Sequence, residues 1–186
     1  GDVLAMASYP DYDPNIFAEG ISTEDWESVQ STNPRDYLAP TPLYNIATKA
    51  SVQPGSTFKP VTAVAALQAG LDPDLNIRDR GHIDIGGRSF GCSAWNMYGG
   101  THGTLNLVSG IQNSCNYYFY CIATGTDWGT GASLGYDEDI NIEKIMEVAQ
   151  EFGLGQETGI ELDEATTPLA SAERKMESTK NSLWSY

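Results

Sequence analysis

The apolar residues of this chain gather into a few short runs separated by long, polar, turn-rich stretches. The densest run is Val61, Ala63, Val64, Ala65, Ala66 and Leu67, with Gly70 as its stop. It is apolar on nearly every side, which predicts a helix from about Ser56 to Ala69 buried in the middle of a domain. A second apolar stretch runs from Tyr117 to Ala123, and a helix is predicted before it over Leu105 to Asn113. Further on, Ile142, Ile145, Met146, Ala149 and Phe152 recur at helical spacing. Asn141 is placed to cap that helix and Gly153 to close it. These five apolar residues read as core.

The remaining segments are shorter or more polar. Val3 to Ser8 reads as a short strand ended by Pro10. Tyr9 to Leu43 is a connection punctuated by Asp13-Pro14-Asn15, Gly20, Asn33-Pro34, Pro40 and Pro42, with a short helix predicted near Glu24 to Gln30. Leu71 to Gly103 is rich in Gly and Asp. Within it, Ile77 to Ile85 and Arg88 to Phe90 predict a hairpin about Gly86-Gly87.

Composition narrows the function. At 186 residues and 40% hydrophobic content, the chain is long enough for one domain with a real core. No apolar run approaches the length of a membrane-spanning helix, and these residues are not expected to include a signal peptide. The formal charge is −15, from 10 basic and 25 acidic residues. That balance argues against nucleic acid, whose binding rests on Lys and Arg. The acids are spread out, densest at Asp137-Glu138-Asp139, and read as solvated surface. Cys92, Cys115 and Cys121 show no Cys-x-x-Cys spacing, and two histidines are too scattered for a zinc site. No metal and no cofactor is therefore expected. The cysteines read as small packing residues, and the sequence does not choose a disulfide partner for Cys92.

The chemistry concentrates at Pro54-Gly55-Ser56-Thr57-Phe58-Lys59-Pro60. A hydroxyl and an amine three residues apart, at the start of a helix, lie on one face. A serine hydroxyl becomes a nucleophile when an adjacent base takes its proton. A lysine can be that base where burial lowers its pKa. Downstream, Ser114-Cys115-Asn116 stands between two predicted helices, where the hydroxyl can relay a proton and the amide can bind a carbonyl. The same Ser-x-Asn pattern occurs at Ser31-Thr32-Asn33 in a polar loop, so order and flanks carry the weight. His102, close to turn glycines, reads as a turn residue rather than a base.

Ser56-x-x-Lys59 followed by Ser114-x-Asn116 resembles the penicillin-recognising serine transpeptidases and serine β-lactamases. Four further stretches are similar to class B penicillin-binding proteins, most of all the elongation type. They are Gly1 to Pro10 with Asp13-Pro14-Asn15, His102 to Leu107 leading to Ser114, Phe152-Gly153-Leu154-Gly155, and Thr158 to Leu162. The third motif of the family, Lys-Thr-Gly or Lys-Ser-Gly on a strand, is absent. Gly129-Thr130-Gly131 follows Trp128 and comes too early to serve. Asp163 to Pro168 stands where the family has a Pro-Gly-Glu-like turn.

The resemblance implies an α+β fold of the β-lactamase and transpeptidase type, a sheet flanked by helices. The chain would be a helix-rich slice of it, with residues 1–186 an incomplete transpeptidase domain lacking the third-motif strand. It implies acyl transfer with Ser56 as nucleophile, Lys59 as base, Ser114 as proton relay and Asn116 as substrate-binding amide, the slice alone being inactive. The implied partners are peptidoglycan stem peptides, β-lactams and a wall-synthesis complex with a glycosyltransferase. The implied location is the extracytoplasmic face of the membrane, with the anchor elsewhere in the parent protein. Trp95 would line the cleft near the stem peptide, while Tyr117 to Tyr120 pack in the core. A serine β-lactamase is the alternative, although Glu143, Glu147 and Glu151 read as the solvent face of a helix rather than a water-activating group. A non-catalytic β-lactam sensor or structural module is the other.

Overall fold

The computed structural model describes residues 2–33, 35, 39 and 41–180. The turn signals at Pro34 and Pro40 lie outside them. Eight α-helices are present among the described residues: α1 Thr23–Ser28, α2 Ile46–Lys49, α3 Lys59–Gln68, α4 Ser93–Tyr98, α5 Leu107–Gln112, α6 Asn116–Thr124, α7 Ile142–Glu151 and α8 Ala172–Thr179. The strands are β1 Ile77–Arg78, β2 His82–Ile85, β3 Arg88–Gly91, β4 Thr104–Leu105, β5 Thr126–Asp127 and β6 Ala132–Ser133. They form three antiparallel two-stranded ribbons, β1 with β4, β2 with β3 and β5 with β6.

The chain divides into two compact units. One comprises residues 1–52 and 157–167. Its later segment is stitched to the earlier one: the Ala165 N–H donates to the Thr48 carbonyl, Ser51 and Thr167 share a hydroxyl hydrogen bond, and Lys49 pairs with Asp163. In this unit α1 begins at Ser22, whose hydroxyl accepts the Asp25 N–H, close to the predicted position. Val3 to Ser8, predicted as a strand, forms none. A strand exists only through a partner's backbone groups, and no described segment offers them. Val3, Leu4 and Met6 are exposed.

The other unit comprises residues 53–156 and 168–186 and carries the core. Its centre is α3. Ala63 and Ala66 join Tyr117, Tyr118, Phe119, Cys121 and Ile122 of α6 in one cluster, which extends to Ile77, Leu105 and Leu107. Val61 and Ala65 face Ile145, Val148 and Ala149 of α7 in a second. A helix packed against two neighbours must be apolar on both sides, which is why its sequence shows no polar face. Alanines on it let those neighbours approach closely. In α6 Tyr117, Tyr118 and Phe119 are all buried, and Tyr120 is half-buried.

Local signals fit their sequences. Asn141 accepts the Lys144 N–H at 2.8 Å and opens α7. Ile145 and Ala149 are core as predicted, but Ile142 and Phe152, at the two ends of α7, are exposed. Gly86 and Gly87, both at positive φ, turn the β2–β3 hairpin. The predicted first arm is cut short, because Ile77 and Arg78 pair with Leu105 and Thr104 instead. Asn106 caps α5 in a reciprocal box with Ser109, so that helix starts later than predicted.

Candidate active site

The site grows from the entry to α3. Pro60 occupies the second position of this helix and has no N–H to give. The Ser56 carbonyl therefore cannot receive the ordinary bond from four residues on. It accepts the Lys59 N–H instead. Residues Gly55–Phe58 accordingly form a 3-10 turn ahead of the α-helix, correcting the expected continuous helix from Ser56. In a 3-10 turn residues i and i+3 lie on one side, and Ser56 stands three residues before Lys59 where this turn meets α3. Ser56 is exposed, and its hydroxyl has no hydrogen-bond partner among the described residues.

The second half of the site is the end of α5. The Ser114 N–H donates to the Ile111 carbonyl at 2.9 Å, and the Cys115 N–H to the Gly110 carbonyl at 3.0 Å. This is the Schellman closure of a helix, and it needs a left-handed residue at the position Ser114 occupies. Ser114 takes φ 49° there, a conformation that favours glycine.

The turn aims both oxygens of Ser114 at the lysine. Lys59 Nζ donates to the Ser114 carbonyl at 2.5 Å, to Ser114 Oγ at 2.9 Å and to Asn116 Oδ1 at 2.6 Å. It also lies 5.4 Å from the centre of the buried Phe119 ring. An ammonium has three N–H donors and no acceptor, so this arrangement engages all of them. Burial lowers the Lys59 pKa from its ordinary 10.5, opposed by charge on Cys92 and Cys115. Burial also pushes the Cys115 thiol far above its usual range. A neutral thiol exerts no such opposition, so at neutral pH the Cys115 part of it is silent.

Three of the four predicted site residues are joined directly, since Lys59 bonds Ser114 and Asn116, and Ser56 stands three residues before Lys59 in the turn that opens α3. The arrangement can take a proton from a serine, pass one through a second serine and hold an amide with Asn116. The Asn116 amide nitrogen reaches the Gly91 carbonyl at 3.5 Å.

Sequence reasoning missed a second group beside it. Asp79, Cys92, His102 and Cys115 bring one ligand atom each within 4.8 Å of one another. The Asp79 carboxylate accepts from the Gly81 N–H at 2.7 Å and the His102 N–H at 2.9 Å, and lies 3.0 Å from His102 Nδ1. Cys92 Sγ lies 3.4 Å from His102 Nδ1 and 3.7 Å from Cys115 Sγ. Burial alone would raise Asp79, but the N–H groups of His102 and Gly81 hold it below the ordinary carboxylate value. Sulfur, imidazole and carboxylate donors, four in number, form a set that can hold a divalent ion such as Zn²⁺. The expectation of no metal-ligand set is revised accordingly. The signal available in the sequence was Cys115 inside Ser114-Cys115-Asn116, since the other three members are scattered. His102 binds Asp79 rather than serving as a turn residue alone. All three cysteines are free and buried.

Comparison with known proteins follows the same landmarks. The family model for the penicillin-binding protein transpeptidase domain matches residues 1–182. The peptidoglycan D,D-transpeptidase MrdA of Acinetobacter baumannii is 33% identical over 186 residues, covering 99% of this chain and 24% of that protein. The chain thus spans about a quarter of the length of such relatives. PBP2 of Pseudomonas aeruginosa, solved in complex with WCK 5153, superposes with TM-score 0.72 at 31% identity, over 97% of this chain and 36% of that one. PBP2 of Helicobacter pylori, solved in complex with MreC, superposes with TM-score 0.77 at 26% identity, over 97% of this chain and 30% of that one.

Proposed function

This chain belongs to the penicillin-binding protein transpeptidase family, and on that premise we propose that it carries the acylating centre of a serine D,D-transpeptidase. In this reading Ser56 is the nucleophile, Lys59 the base, Ser114 the proton relay and Asn116 the amide that holds the acyl donor. The observation that carries it is the Lys59 amine, bonded at once to Ser114 and Asn116, with Ser56 three residues before it in the turn that opens α3.

When Lys59 gives up its proton, one of its three contacts is released and a lone pair becomes available to the Ser56 hydroxyl. Ser56 Oγ then loses its proton to Nζ and attacks the carbonyl between two D-alanines of a stem peptide. An ester bond forms and the peptide C–N bond breaks. D-Alanine leaves with a proton delivered through Ser114. An amine of a neighbouring stem attacks the ester, forms the cross-link and returns the proton to Ser56. The tetrahedral oxyanion needs two backbone N–H donors, and loss of one costs about 10²–10³ in rate. The family takes one donor from the nucleophile and the other from the third-motif strand. No Lys-Thr-Gly or Lys-Ser-Gly occurs in these 186 residues, so the reading assigns turnover to the longer protein and treats the whole chain as part of a single transpeptidase domain.

β-Lactams would acylate Ser56 as substrate mimics. The proposed setting is a wall-synthesis complex with a polymerising glycosyltransferase, on the extracytoplasmic face of the membrane. A relative solved in complex with MreC supports a protein partner for this family, and the glycosyltransferase belongs to the proposal alone. No described helix is long and apolar enough to cross a membrane. Glu143, Glu147 and Glu151 are exposed on α7, which gives the β-lactamase alternative no water-activating group among them.

The test is intact-mass spectrometry of the full-length protein after exposure to penicillin, with Ser56→Ala beside it. A single adduct in the native protein, lost in the variant, is expected. An adduct that survives Ser56→Ala would refute the nucleophile assignment. Absence of any adduct would leave a non-catalytic relative.

A further inference from the structure

Beside the proposed cleft, the hairpin β2–β3 and helix α4 hold one indole in an unusual way. A Cβ built on Gly81 would lie 2.3 Å from Trp95 Cε3 and 2.6 Å from Cδ2. The ring therefore lies directly on the Gly81 backbone, and only a residue without a side chain can occupy that position. The His82 imidazole rests against the same indole, centroids 5.0 Å apart and planes tilted by 31°. The base beneath is rigid, since the buried Cys92 donates its N–H to the Gly81 carbonyl at 2.7 Å. Although backed in this way, Trp95 keeps 39% of its surface exposed, and Tyr98, one turn on along the same face, keeps 81%. The tryptophan is thus fixed by its packing on Gly81 and His82 while more than a third of its surface stays open to solvent.

This feature is continuous with the site. The Gly91 carbonyl is reached at 3.5 Å by the amide nitrogen of Asn96, next to Trp95, and at 3.5 Å by that of Asn116. The Asp84 carboxylate lies 3.6 Å from His82 Nε2 and is largely exposed. The surface thus pairs a flat apolar ring with the exposed Asp84 carboxylate held beside it through His82. A pyranose matches that combination, with a C–H face to stack on the ring and equatorial hydroxyls for the polar groups. Resting on the transpeptidase reading above, a stem peptide of four or five residues extends about 15 Å from the scissile bond to its sugar. Its saccharide must therefore lie outside the cleft proper.

We propose that Trp95 is a sugar-stacking platform that takes a pyranose ring of the glycan bearing the donor stem peptide. It makes Trp95 a specificity-determining residue rather than a catalytic one.

The test uses the full-length protein and two donors: a stem pentapeptide carrying its N-acetylglucosaminyl-N-acetylmuramoyl disaccharide, and the same pentapeptide without sugar. The quantity read is the ratio of kcat/KM for the two. The native protein is expected to favour the disaccharide donor roughly tenfold, mainly through KM, as one ring stacked on an aromatic face would give. In Trp95→Ala the ratio falls towards one, and in Trp95→Phe, which keeps a ring on Gly81, it is partly restored. A ratio of one in the native protein, or an equal loss on both donors in Trp95→Ala, overturns the platform. If Trp95→Ala does not fold, the native ratio and Trp95→Phe decide alone. A native protein that penicillin acylates but that ignores the sugar refutes this inference and not the reading beneath it. A protein that penicillin does not acylate refutes both.

Discussion

Ser114 stands where glycine stands at two other helix ends. Helix α3 closes through Gly70, with Gly70 and Leu71 donating to Leu67 and Ala66. Helix α7 closes through Gly153, with Gly153 and Leu154 donating to Gln150 and Ala149. Both glycines have positive φ. The same geometry at α5 is imposed on a serine, and the reward is a hydroxyl and a carbonyl that both meet Lys59. Ser114→Gly should therefore be more stable than Ser114→Ala by about 1 kcal/mol, because left-handed strain is removed. Both variants should lose penicillin acylation. Thermal unfolding and adduct formation measure the two effects, and equal stability of the variants would contradict the strain. Lys59 makes a second prediction. Its neutral form is the base, and burial lowers its pKa. Acylation should rise with pH, with a midpoint below the ordinary 10.5. Lys59→Arg, which keeps its proton throughout, should show no such rise and lose at least about 10²-fold in acylation rate. Stopped-flow acylation from pH 6 to 10 would show it. At this scale the sequence was informative about identity and spacing, because Ser-x-x-Lys and Ser-x-Asn are local patterns. The left-handed Ser114 was not legible, since nothing in Asn113-Ser114-Cys115 favours that conformation over another.

Among the elements, the entry to α3 shows how a missing donor sets a site. Pro60 removes one N–H, the preceding turn tightens to 3-10, and the Lys59 N–H closes on the Ser56 carbonyl. Pro60→Ala restores the donor, and α3 should extend back by about a turn. Far-UV circular dichroism should show little change in stability, because proline at the first turn is merely tolerated there. Acylation should slow by about tenfold as the backbone that sets Ser56 relative to Lys59 changes. An unchanged rate would mean that the 3-10 turn is incidental. Helices α6 and α7 were legible because their apolar residues either fill every side or recur at helical spacing. The turn at Gly86-Gly87 was legible from its chemistry. The pairing of β1 with β4 was not, because a two-residue strand carries no period and its partner is distant in sequence. The strand predicted over Val3 to Ser8 failed for a related reason: alternation and β-propensity make a segment ready to pair, but a neighbour has to supply the ladder.

Over the whole molecule, the sequence by itself determined the family, the nucleophile segment, the buried character of α3 and the absence of a third motif. Each of these is written in contiguous residues, where chain connectivity already holds the groups near one another. Only the tertiary structure decided which faces α3 buries against α6 and which against α7, and that Lys59 bonds Ser114 and Asn116. Only it gathered Asp79, Cys92, His102 and Cys115 into one cluster and laid Trp95 on Gly81. Those contacts join residues separated by long loops. Closing such loops costs entropy that grows only slowly with length, so many pairings are open to the chain, and local spacing cannot rank them. The packing of a common core selects among them, because each burial of apolar surface depends on all the others being made.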